Sequence, residues 1–198
     1  MAVFTPVLEA EAKAFLQAFP VTEVVEFTPI AEGVQNTNYR VKTRDGAYVL
    51  TLFEGQEERD GLSFCLGLTQ HLAAKGFPTP SPVATRDGRL AAPLKERPAA
   101  LVEWASGSWK KTPSAGDYHL AGKTLARLHL AGLDYRGERD NPVGPRRWKA
   151  LAERSALRAQ GEDRRILDRV EPLITRLERL FDPLLLPQGA IHADYFPD

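Results

Sequence analysis

Apolar positions in the first half of the chain recur at helix spacing in two stretches and at strand spacing elsewhere. The helix spacing predicts helices over Leu8–Phe19, which ends before Pro20, and over Glu58–Gly76. Runs rich in β-branched and aromatic residues predict four strands, at Val24–Ile30, Thr37–Thr43, Ala47–Phe53 and Pro98–Trp104. The pairs Asp45–Gly46 and Asp87–Gly88 are typical of tight turns, so each predicts a β-hairpin.

The second half has a different pattern, which begins after a linker rich in Gly, Ser and Pro at residues 105–113. Helices are predicted at Ser114–Gly132, Trp148–Gln160 and Glu162–Phe181. The first should bury the stripe formed by Leu120, Ala121, Leu125 and Leu128. Pro172 is expected to bend or break the last. A short closing strand is predicted to deliver His192 and Asp194. The pattern predicts an α+β protein with an antiparallel-sheet lobe (1–104), a linker (105–113) and a helical lobe (114–198).

Composition narrows the function classes. Lys plus Arg and Asp plus Glu number 26 each, so no charge excess points to nucleic acid or to a membrane surface. The single cysteine, Cys65, excludes an internal disulfide and a thiolate metal cluster. The N-terminus lacks the pattern of a signal peptide, and no apolar run is long enough to span a bilayer. We therefore expect a cytoplasmic protein.

The segment between the first two strands contains a candidate ligand site. Gly33 has no Cβ, so its backbone could approach a ligand closely. Asn36, Thr37 and Asn38 add amide donors and a hydroxyl that would suit a polyphosphate lying under a hairpin. The same residues are also typical of an ordinary β-turn, and a short glycine motif does not separate the two interpretations.

A second candidate site lies at residues 192–194. Asp194 would present a carboxylate that can accept or orient a hydroxyl proton. His192, on the same face if the strand persists, could hold the loop by hydrogen bonding. These two residues are too few for a metal site. The alternative is a strand end with a buried histidine and a capping aspartate.

The order of the parts favours the catalytic interpretations. A glycine hairpin, a helix after the third strand, a linker, a helical lobe and a His-x-Asp follow one another as they do in kinases. Kinase catalytic loops have the form His-Arg-Asp, four residues and Asn. Residues 192–198 fill that form up to the Asn, which we expect to follow Asp198.

The chain resembles the aminoglycoside phosphotransferase and choline kinase-like group, and within it the protein-kinase-like homoserine kinases. The motifs that carry the resemblance are "GVQNTNYRV", "YVLTLFE", "RPAALVEWASGSW", "LAGKTLARLHLA", "RDNPVGPRRW" and "IHADYFPD". It implies a bilobal protein-kinase-like fold whose C-lobe is truncated here, and ATP-dependent phosphorylation of homoserine for threonine biosynthesis. It also implies that Asp194 is the catalytic aspartate. Residues 33–38 would cover the phosphates, and adenine would bind backbone near Glu103 and Ala105.

Two departures from the kinase pattern limit the expected activity. Thr51 stands where the third strand of a kinase carries a lysine, although it could still line the nucleotide pocket, and Arg40, Lys42 or residues 57–59 could supply the charge. The Mg²⁺ ligands are expected beyond Asp198, so we expect this chain alone to be inactive. Arginines between 136 and 147 could bind the homoserine carboxylate or be solvated. The alternatives are a kinase for choline or an aminoglycoside, or a non-catalytic fragment that binds nucleotide or a partner.

Overall fold

The computed structural model of the chain describes residues 4–31, 35–108, 110–139, 141, 144–180 and 188–195, with only the backbone for residues 56–60. The chain divides into two compact units, Met1–Gly137 with Ala190–Asp198, and Glu138–Gly189. The linker predicted at residues 105–113 lies inside the first unit, and the division into two lobes stays a prediction. Among the described helices, none combines the length and the apolar character that crossing a membrane requires.

The first unit is built on a five-stranded antiparallel sheet. Its strands are β1 (Val24–Pro29), β2 (Thr37–Thr43), β3 (Ala47–Leu52), β4 (Ala92–Leu94) and β5 (Arg97–Glu103). They lie in the order β1-β2-β3-β5-β4, and each neighbouring pair is antiparallel. The four strands predicted from the sequence are confirmed to within one residue at each end. With the helices, the sheet confirms the α+β class.

The hairpin of β2 and β3 turns at the predicted Asp45–Gly46. The Thr43 N–H donates to the Gly46 carbonyl at 2.8 Å. The Asp45 carboxylate accepts the hydroxyl protons of Thr22 at 2.6 Å and Thr43 at 2.5 Å, which closes the turn. This turn fixes the register of the hairpin, so that Asn38 lies opposite Thr51.

The prediction of a β-hairpin around Asp87–Gly88 is wrong. A turn does form there, and the Thr85 N–H donates to the Arg89 carbonyl at 2.8 Å, but no strand ladder flanks it. The hairpin of β4 and β5 turns instead at Lys95 and Glu96, whose φ angles are 51° and 60°. Left-handed backbone normally favours Gly or Asn, so this turn carries no sequence signal.

The two faces of the sheet differ because side chains alternate along each strand. One face, the core face, packs against helix α1 (Glu9–Leu16) and is buried. Its strand residues are Tyr39, Val41, Leu50, Leu52, Ala99 and Leu101, and they pack on Val7, Ala12, Leu16 and Phe19. The other face, the open face, carries Asn38, Arg40, Val49, Thr51, Ala100 and Val102. Helix α2 (Gln56–Ala74) covers part of it through Leu62 and Leu66, which pack against Ala100.

Helix α3 (Ala115–Ala131) follows the linker and begins at the predicted cap, Ser114. The Ser114 hydroxyl accepts the Asp117 N–H at 3.3 Å, and the Asp117 carboxylate accepts the Ser114 N–H at 2.8 Å. The predicted buried stripe is wrong: no residue of α3, which the structure describes throughout, is buried, and Leu120 is 61% exposed.

The second unit contains two amphipathic helices, α4 (Pro145–Ala156) and α5 (Gly161–Leu180). They pack on each other and bury Ala152 and Ile174. Pro172 lies inside α5 and does not end it, so the predicted break does not occur, while the predicted bend stays a prediction. A proline removes one backbone hydrogen bond, and packing against α4 beside Ile174 supports the helix past that position.

The closing strand predicted to deliver His192 and Asp194 does not form. Residues 188–195 have no strand structure, Ile191 is 63% exposed, and Ala193 has a φ angle of 65°. A strand is stable only when another strand pairs with it. Among the described residues no segment pairs with this one, so His192 and Asp194 lie in a loop.

Candidate active site

Three of the predicted ligand-binding residues meet at one end of the β2–β3 hairpin. The Thr51 hydroxyl donates to Asn38 Oδ1 at 2.8 Å, across the strand pair. The Asn38 amide donates to the Asn36 carbonyl at 3.4 Å. The polar side chains of β2 and β3 on the open face are therefore linked to the residue that precedes β2. Gly33, the fourth residue predicted for this turn, lies outside the described residues.

Thr37, in contrast, points away from the open face. It is fully buried, and its hydroxyl accepts the N–H groups of Phe4 at 2.9 Å and Thr5 at 3.1 Å. The same hydroxyl donates to Glu54 Oε1 at 2.8 Å. The prediction that the Thr37 hydroxyl would face a ligand beside Asn38 is corrected by this geometry, because adjacent residues of a strand point to opposite faces.

Glu54, which the sequence interpretation did not single out, is the centre of this buried cluster. Its carboxylate accepts the Thr37 hydroxyl, the Thr5 hydroxyl at 2.9 Å and Arg97 Nε at 2.9 Å. Burial alone would raise the pKa of Glu54, but these donors outweigh burial and hold the pKa below its ordinary value. The hairpin register was the signal that could have found this residue, since it brings Thr37 opposite Leu52.

Arg40 lies on the open face two residues beyond Asn38, and it is half-buried. Its guanidinium lies 4.9 Å from the centre of the Trp104 ring, within the range of a cation–π contact. Within the described chain its Nε is buried without a hydrogen-bond partner. Lys42, two residues further from Asn38, is exposed. Arg40 is thus a cation held on the open face, with one donor that no described residue uses.

The predicted adenine-binding residues lie where β5 ends. The Glu103 N–H donates to the Ser81 carbonyl and the Trp104 N–H donates to the Ala47 carbonyl, both at 2.9 Å. These two amides are therefore occupied within the protein. The exposed backbone of Ala105 is the next part of the chain that can bond outward.

The predicted catalytic pair lies in the exposed loop near the end of the chain. The Asp194 N–H donates to His192 Nδ1 at 3.4 Å, and the His192 ring contacts the Tyr195 ring edge-on at 5.1 Å. The Asp194 carboxylate is exposed. Among the described residues, neither side chain bonds to Asn36, Asn38 or Thr51, so the structure does not join the two halves of the predicted site.

No metal site is formed by the described residues, where no three His, Cys, Asp or Glu side chains cluster. The described arginines among residues 136–147, namely Arg136, Arg139, Arg146 and Arg147, are exposed. Their proposed contact with a substrate carboxylate stays a prediction.

The chain is similar to known phosphotransferases over most of its length. Residues 26–198 match the model of the phosphotransferase enzyme family. The whole chain is 42% identical to the homoserine kinase of Chelativorans sp. (strain BNC1) and 40% identical to that of Brucella anthropi. It spans 61% and 60% of the length of these two relatives.

The fold has a counterpart among solved structures. A spectinomycin phosphotransferase, crystallised in complex with ADP and spectinomycin, superimposes with a TM-score of 0.55 and 16% sequence identity. The match covers 96% of this chain and 64% of that enzyme. At this identity the likeness concerns the fold, which is that of the aminoglycoside phosphotransferases and agrees with the protein-kinase-like architecture that the sequence predicts.

Proposed function

The chain belongs to the phosphotransferase enzyme family, and from that premise we propose that its protein is an ATP-dependent homoserine kinase of threonine biosynthesis. The observation that carries the proposal is the identity of 40–42% with two homoserine kinases over all 198 residues. Because the chain spans about three fifths of those relatives, the proposed activity is that of the whole protein.

The nucleotide phosphates are proposed to lie at the end of the β2–β3 hairpin, under the backbone around Gly33. Asn36 and Asn38 would supply amide donors, and Thr51 would hold Asn38 in place through their 2.8 Å hydrogen bond. Amide and backbone donors suit phosphate oxygens, so the polar groups present fit a polyphosphate ligand. Because the Thr37 hydroxyl is buried on the core face, only the backbone of Thr37 is proposed to lie near the phosphates.

Arg40 is proposed to supply the positive charge that a lysine at position 51 would otherwise give. It shares the open face with Asn38 and Thr51, it is half-buried, and its Nε has no partner among the described residues. A phosphate oxygen would bind the terminal nitrogens of this guanidinium, because the Nε is shielded from solvent, and guanidinium groups bind phosphate well. The adenine ring is proposed to bind the exposed backbone near Ala105, with Glu103 at the end of the strand beside it.

Asp194 is proposed as the catalytic residue and His192 as the residue that holds its loop. In the proposed reaction the homoserine hydroxyl loses its proton to the Asp194 carboxylate. The hydroxyl oxygen then bonds to the γ-phosphorus while the bond from that phosphorus to ADP breaks. The contact of His192 with the Asp194 amide supports a role in shaping the loop. Mg²⁺ would neutralise phosphate charge, and we assign it no ligand among the described residues.

The proposal is tested by substrate preference. The protein, prepared at the length of its homoserine kinase relatives, is given ATP with L-homoserine, choline or kanamycin, and ADP release is measured. We expect kcat/KM for homoserine to exceed that for the others at least about a hundredfold, because a site built for one polar substrate rejects poor analogues strongly. Equal or better turnover of choline or kanamycin would assign a different acceptor. ATP binding without ADP release for any of the three would support a non-catalytic nucleotide-binding protein.

A further inference from the structure

Two carboxylates occupy equivalent positions at the two ends of β2. Glu54 accepts the hydroxyl of Thr37, the first residue of the strand, at 2.8 Å. Asp45 accepts the hydroxyl of Thr43, the last residue of the strand, at 2.5 Å. Each carboxylate also accepts a second threonine hydroxyl from outside the strand, so the two clusters share this pair of contacts. Glu54 differs in that it also accepts Arg97 Nε at 2.9 Å and is more buried. The two clusters also differ in what lies beside them.

Glu54 holds the start of β2 and the residue before it by two separate groups. Its carboxylate binds Thr37, while its backbone N–H donates to Asn36 Oδ1 at 3.2 Å. Thr37 in turn accepts the N–H groups of Phe4 and Thr5. The two consecutive residues that lead into β2 are therefore fixed to one residue at the end of β3.

The effect of Glu54 reaches the open face through Asn36. The Asn36 carbonyl accepts the Asn38 amide, and Asn38 Oδ1 accepts the Thr51 hydroxyl. If Asn36 and Thr37 shift, the amide groups proposed to face the phosphates shift with them. The Glu54 carboxylate itself lies on the core-face side beside Thr37 and Arg97, and its side chain is only 14% exposed.

We propose that Glu54 is a positioning residue for the nucleotide phosphates, acting through Asn36 and Thr37 without touching the nucleotide. This inference rests on the proposed function, because it requires that ATP binds at this end of the sheet. The carboxylate is needed because it accepts from Thr37, Thr5 and Arg97 together. A glutamine at this position would have only one acceptor oxygen. Its NH₂ group is itself a donor, so it could not accept the hydrogen bonds that the second carboxylate oxygen accepts.

Asp45 provides the matched control. Glu54→Gln and Asp45→Asn make the same chemical change to a carboxylate that accepts two threonine hydroxyls. The two clusters lie at opposite ends of a seven-residue strand, about 20 Å apart at the usual rise per residue. Both changes loosen one end of β2, but only the first is beside the proposed phosphate site.

The experiment measures the Kd for ATP by calorimetry, and KM for ATP and kcat with homoserine, in the full-length protein. For Glu54→Gln we expect the Kd and KM for ATP to rise about tenfold, which corresponds to the loss of one well-placed hydrogen-bond contact. We expect kcat and the KM for homoserine to stay within about twofold, and Asp45→Asn to leave all four values within about twofold. Arg97→Met, which removes one donor to Glu54, should raise the Kd about threefold and serves if Glu54→Gln does not fold.

Equal effects of Glu54→Gln and Asp45→Asn on the Kd for ATP would overturn the inference, since the role of Glu54 would then be structural only. A fall in kcat with an unchanged Kd would overturn it as well. If the unaltered protein binds ATP but phosphorylates another acceptor, the homoserine assignment fails while a selective effect of Glu54→Gln on the Kd still supports the inference. If the unaltered protein does not bind ATP, both fail.

Discussion

The effect of replacing Gly67 by alanine should depend on the hydroxyl of Tyr135. Gly67 lies in the interior of α2, where alanine is more favourable than glycine by about 1 kcal/mol. A Cβ built on Gly67 would lie 2.5 Å from Tyr135 Oη, far inside van der Waals contact. The next ring atom, Cζ, is 3.5 Å away, which is an ordinary contact distance. Among the described atoms, the hydroxyl is thus the close obstacle to a methyl group.

The size of the effect follows from what Tyr135 would lose by moving. Its hydroxyl donates to the Phe64 carbonyl at 3.1 Å, and its ring packs edge-on against the Phe64 ring at 5.5 Å. Each contact contributes about 1 kcal/mol, so Gly67→Ala should be destabilising by about 1 kcal/mol after the helix gain. In the Tyr135→Phe background the methyl fits, and Gly67→Ala should stabilise by about 1 kcal/mol. The coupling free energy between the two sites is then about 2 kcal/mol.

The assay is urea unfolding of the four proteins of this double-mutant cycle, followed by tryptophan fluorescence. Gly122→Ala in α3 is the control, because no described atom lies within 4 Å of a Cβ at that position. It should stabilise by about 1 kcal/mol whether or not Tyr135 keeps its hydroxyl. If Gly67→Ala changes the free energy of unfolding by the same amount, within about 0.5 kcal/mol, in both backgrounds, the Tyr135 hydroxyl does not obstruct the added methyl group.

Two further predictions concern charged groups. Arg40→Met should raise the Kd for ATP about tenfold, as expected for the loss of one guanidinium contact with a phosphate. The control Lys42→Met should leave the Kd within about twofold. If calorimetry finds equal effects of the two changes, Arg40 does not belong to the phosphate site. Hydrogen bonds from Lys75 and then His71 lower the pKa of Asp134 to about 2, so its contribution to stability is present above pH 4 and is lost as the pH falls to about 2. Lys75→Met should flatten the unfolding free energy across that range, and an unchanged pH profile would contradict this origin.

The strands of the hairpin could be predicted from sequence because local chemistry determines them. Asp45–Gly46 sets the turn, and the alternation along β2 and β3 sets the register. That register places Asn38 opposite Thr51, so the part of the candidate site proposed to bind phosphate could be predicted from the sequence. The helix cap at Ser114 is equally local, because its partner Asp117 is three residues away.

The remaining features depend on contacts between distant parts of the chain. The β4–β5 turn uses Lys95 and Glu96 in a conformation that their residue types do not announce. The Glu54 cluster joins residues 5, 37, 54 and 97, so no short motif contains it. Leu120 is apolar at helical spacing, yet spacing alone does not show whether another element covers it.

The role of Asp194 in a homoserine kinase is tested most directly by comparing single-turnover phosphate transfer in the full-length protein and in Asp194→Asn. The reaction of ATP with L-homoserine is followed by phosphorus NMR, and the Kd for ATP is measured on the same samples. The unaltered protein should form ADP and a new phosphate monoester in equal amounts. Asp194→Asn should slow that transfer by a factor of about 10²–10⁴ while the Kd for ATP stays within about twofold. Transfer at an unchanged rate by Asp194→Asn, or no phosphate monoester of homoserine from the unaltered protein, would contradict the proposed role of Asp194 in a homoserine kinase.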